Sequence, residues 1–100
     1  MTTKSRLLGR IIETLNIESR GPAILLDLKL IDFPMDLEIR IGDQIRISLL
    51  DNRVLDAVVC GVEYRPLLAL LLPVGTDLNG FMGATVEHAP QDTKINLQFE

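Results

Sequence analysis

Apolar and polar residues alternate with period two in several stretches of this chain, the spacing that sets every second side chain on one face of a strand. Near the C-terminus Ile95, Leu97 and Phe99 alternate with Lys94, Asn96 and Gln98, which predicts a strand with one apolar face. Ile45, Ile47 and Leu49 alternate in the same way with Gln44, Arg46 and Ser48, and Asp51-Asn52 then supplies turn residues that tolerate positive φ. A hairpin is expected there. Its return strand runs from Val54 to about Val62, with Leu55, Ala57 and Val59 on one face and Val58, Cys60 and Val62 on the other. Apolar residues on both faces predict a central strand or the wall of a tightly closed barrel.

Ala23 to Ile31 predicts a further strand, because Ile24, Leu26, Leu28 and Leu30 share one face while Asp27 and Lys29 share the other. Gly21-Pro22 marks its start. The segment from Asp32 to Glu38 holds Phe33-Pro34-Met35 among acidic residues and reads as a connection between strands. Leu67 to Leu72, between Pro66 and Pro73, has strand length and predicts a buried strand; the flanking prolines leave open an edge strand that adds to another chain's sheet. Val74 to Gly83 contains three glycines and predicts a long exposed loop, after which Ala84 to His88 resumes as a short strand. The N-terminal stretch is two-sided. Leu7, Leu8, Ile11, Ile12 and Leu15 have the spacing of an amphipathic helix, and Gly9 inside the pattern counts against one.

A length of 100 residues allows one ordinary core, so residues 1–100 are read as a single domain. Its apolar fraction of 47% is carried by aliphatics, with three Phe, one Tyr and no Trp, a bias that suits strands. The formal charge of −4 opposes a long run of phosphate contacts and disfavours a role in coating nucleic acid. Cys60 is the one cysteine, so no internal disulfide can form, and a cytoplasmic location is expected. Arg10 interrupts the apolar stretch a signal peptide would need, and no apolar run approaches the length of a membrane span.

Catalytic constellations are sparse. His88 is the one histidine, which excludes a two-histidine metal site within a chain, and it is expected as an exposed strand-end residue. A Cys60–His88 nucleophile pair would need both side chains at one surface, whereas Cys60 in an apolar strand is expected as an inert buried thiol. Asp27, Asp32, Asp36 and Glu38 lack the spacing of a calcium loop and read as solvated carboxylates. No catalytic group, metal ligand set or cofactor motif is assigned.

Three segments, in order, resemble the β-barrel second domain of translational GTPases, most closely that of elongation factor Tu and its relatives. Ile12-Glu13 with Ser19-Arg20-Gly21 resembles the family's first strand and following turn. Leu37 to Ile47 is similar to its I-x-x-G-D-x-(V/I)-x-(V/I) stretch, and Ala57-Val58-Val59-Cys60-Gly61-Val62-Glu63 to its T-V-V-T-G-V-E strand. The resemblance spans Arg10 to about His88. It implies a mostly β fold, a small closed or partly open antiparallel barrel of six to seven strands, and it makes the N-terminal segment a strand. Leu26-Asp27 stands where the family has Thr-Gly, and no G-x-x-x-x-G-K-[ST] phosphate loop occurs, so this chain is not a GTPase by itself.

The resemblance also implies a site at Glu63, whose family counterpart lines the pocket for the terminal adenosine of aminoacyl-tRNA. Arg20, Tyr64 and Arg65 join it as binding residues, although Arg65 lies two residues after the glutamate where the family's arginine lies three after. Tyr64 is of the type that stacks on a base. A plain surface role, with Glu63 paired to Arg65 or Arg53, stands beside that reading. The function expected is a non-catalytic binding module or adaptor acting through a protein partner or self-association. The alternative is an RNA-associated module that contacts a ribosome or a tRNA end.

Overall fold

The computed structural model describes residues 6–29, 38–64 and 67–89, and all regular structure among them is strand. Seven strands, β1 (Arg6–Ile17), β2 (Gly21–Lys29), β3 (Gln44–Ser48), β4 (Val54–Val58), β5 (Gly61–Tyr64), β6 (Leu67–Leu71) and β7 (Thr85–Ala89), form one antiparallel sheet. Its order is β4-β3-β7-β1-β2-β6-β5. The two outermost strands are therefore consecutive in sequence, joined by Val59 and Cys60. Val59 exchanges backbone bonds with the start of β3, accepting from Gly42 N–H and donating to Asp43 C=O, both at 2.8 Å, while Cys60 N–H reaches Leu71 C=O at 2.8 Å. These bonds curl the sheet into a small, partly open barrel. No helix among the described residues is long and apolar enough to cross a membrane.

Local chemistry explains the turns. The link from β1 to β2 closes through Arg20 N–H to Ile17 C=O at 3.0 Å, with Ser19 at φ 68°. Gly42 sits at φ 100°, a conformation that penalises a Cβ, just before the chain enters β3. The hairpin from β3 to β4 turns at Asn52, φ 75°, and Asp51 fastens it by accepting from both the backbone N–H and the guanidinium of Arg53. That N–H is the main cause holding the Asp51 carboxyl below its ordinary value. Inward side chains of β1, β2, β3, β6 and β7, together with Leu49, Val59, Leu72, Phe81 and Ala84, make one aliphatic core.

The helix-like spacing in the N-terminal segment has a different origin. β1 pairs with β7 through Arg6 to Arg10 and with β2 from Ile11 onward, and its register slips once on each side, between Leu7 and Gly9 and between Ile11 and Glu13. A strand with such an irregularity can place residues three apart on one face. Leu8 and Ile11 are both buried for this reason, while Leu7 and Ile12 are exposed. At the bend the Asp27 carboxylate accepts the Arg10 backbone N–H at 2.8 Å, and a Cβ on Gly9 would land on that carboxylate. Gly9→Ala is expected to displace Asp27 and cost about 1–2 kcal/mol in a urea titration, through the lost hydrogen bond and backbone strain. In an Asp27→Ala background the same substitution should cost measurably less; an undiminished cost would remove Asp27 from the account.

Several expectations are corrected. The return strand of the hairpin is not central: it breaks at Val59–Cys60 into β4 and β5, the two ends of the sheet order. Leu67 to Leu71 is flanked on both sides, by β2 and β5, so it is not an edge open to another chain. The loop from Val74 to Gly83 is mostly exposed, but Phe81 anchors it in the core. Cys60 is exposed rather than buried, so its thiol is open to reagents in the native fold. The expected strand at Ile95 to Phe99 and most of the connection from Asp32 to Glu38, with Asp32 and Asp36, lie outside the described residues.

Candidate functional site

Three places carry polar or exposed groups that the core does not account for. The first is the predicted site. Arg20, in the turn after β1, forms an ion pair with Glu63 on β5, although 43 residues separate them in sequence. Arg53 is occupied elsewhere, by Asp51. Tyr64 follows Glu63 on the same strand, so the two side chains leave from opposite faces, and the Tyr64 ring is exposed. Arg65 lies outside the described residues. The guanidinium of Arg20 is thus matched by a carboxylate, and an anionic ligand would have to compete with Glu63 for it. Such a half-exposed pair contributes little to stability by itself.

The second place was misread from the sequence. His88 is buried, not exposed: its ring is 1% accessible, and its Nε2 lies 2.8 Å from Asp43 Oδ2, itself on a side chain 2% accessible. The same oxygen accepts the Arg40 backbone N–H at 2.8 Å, while Asp43 N–H bonds Arg40 C=O. When Asp43 is ionised its oxygens only accept, and Nε2 is then the donor in the contact. Nδ1 is buried and has no hydrogen-bond partner among the described residues. The pair ties the turn before β3 to the end of β7. It is shut off from solvent on both sides, so its geometry serves the fold rather than a substrate.

A third place is the outer side of β4, which no other strand among the described residues pairs with. The register pairs Ile45 with Ala57 and Ile47 with Leu55. Leu49 N–H bonds Arg53 C=O and Val59 N–H bonds Asp43 C=O, so odd-numbered residues of this segment direct their backbone groups toward β3. By antiparallel alternation the N–H and C=O groups of Val54, Asp56 and Val58 point the other way, along the edge. The side chains there are apolar and open: Val54 is 54% accessible, Val58 41% and Leu55 37%. Asp56 interrupts them and is bonded by Arg46 Nε at 3.0 Å across the strand pair. That hydrogen bond, then the charges of Asp56 and of Glu87, hold the Arg46 guanidinium above its ordinary value.

No protein-family model, curated protein or solved structure matches this chain.

Proposed function

We propose that the chain is a non-catalytic binding module, a translation-factor-like barrel that works through contacts with a protein partner or with itself. The observation that carries the reading is the edge of β4, where apolar side chains and outward backbone groups occur together. Exposed edges of this kind accept an added strand, in which main-chain bonds give affinity and alternate side chains give selectivity. The exposed, unpaired thiol of Cys60 suits a reducing compartment and supports a cytoplasmic location.

The test is comparative capture. Protein retained from a lysate by the native chain should be lost when Val54 and Val58 are both replaced by lysine, a residue that guards natural sheet edges. The variant's denaturation curve should stay near that of the native chain, since both side chains leave on the outer face. Equal retention by the two forms would contradict the reading. An RNA-associated role is the second reading; it rests on the resemblance at Glu63 and on the exposed Tyr64 ring next to it, with Arg20 already matched by Glu63. It requires binding to ribosomes or to aminoacylated tRNA that weakens steeply with salt.

A further inference from the structure

We draw no further inference here: the strongest candidate, the outer edge of β4 with its exposed Val54, Leu55 and Val58, carries none beyond the binding-module reading, because nothing in the structure shows what covers it.

Discussion

Ile47→Asp is expected to abolish cooperative folding. Ile47 is 1% accessible and lies between Leu55 on β4 and Val86 on β7, with the aliphatic core beneath it. The substitution removes a buried side chain that contributes about 2 kcal/mol. It also places a carboxylate where no donor waits, at a further cost of about 3 kcal/mol or more. The sum of about 5 kcal/mol equals the whole stability of many domains of this size. Urea titration followed by circular dichroism should show no native baseline. Arg46→Asp, one residue earlier, lies on the outer face between Asp56 and Glu87. It sets three carboxylates side by side and should cause a smaller loss that salt relieves. Equal damage from the two would mean that the register of β3 is wrong.

The pair formed by Asp43 and His88 should be sensitive too. Replacing His88 with leucine keeps an apolar body in the cavity but takes a donor from a carboxylate that water cannot reach. The expected loss is about 2 kcal/mol, since removing one partner of a buried polar group costs more than the hydrogen bond itself contributes, while the Arg40 N–H stays on Asp43. Asp43→Ala removes acceptors from both His88 and the Arg40 backbone N–H, so it should destabilise by a similar amount. In the double variant the two losses should overlap by at least about 1 kcal/mol, as they do for groups in direct contact. Strict additivity in a double-mutant cycle would refute the contact. Because the pair links the turn before β3 to β7, amide protection of Val59, whose N–H donates to Asp43, should fall in both single variants.

How far the sequence foretold this fold depends on the residue considered. β3 was legible because Ile45 and Ile47 alternate with exposed partners, and Leu67 to Leu71 because an unbroken apolar run of that length has few other uses. The strand character of Arg6 to Ile17 was hidden by its own slips of register, which put Leu8 and Ile11 at helical spacing; only the family resemblance pointed to a strand. The break at Val59–Cys60 left one weak sign, Gly61 directly after it, where a Cβ would press on the Leu71 side chain; the apolar alternation on either side of it reads as a single strand. His88 was legible in principle. Ala84, Val86 and His88 alternate with Thr85 and Glu87, so one face was marked as inward, but a lone histidine at a strand's end was assigned to solvent. Its acceptor, Asp43, lies 45 positions away in sequence, and no local pattern announces such a partner. The meeting of Arg20 with Glu63 is equally non-local. The family resemblance suggested a site at both positions, whereas their ion pair emerges from the folded sheet.

The seating of β7 between β1 and β3 governs when this molecule can be finished. On the ribosome, β1 emerges first with Leu8 and Ile11 bare, and its neighbour on that side is among the last described segments to be made. β2, β3 and β6 are all exposed to solvent before His88 arrives to meet Arg6 and Asp43. Contacts between such distant positions close slowly, because the long intervening loop must be ordered before they form. A nascent chain stalled anywhere before Thr85 therefore presents unpaired aliphatic strands. For this protein the interval between first strand and last is the period of greatest exposure to aggregation, and the one in which a chaperone would matter most.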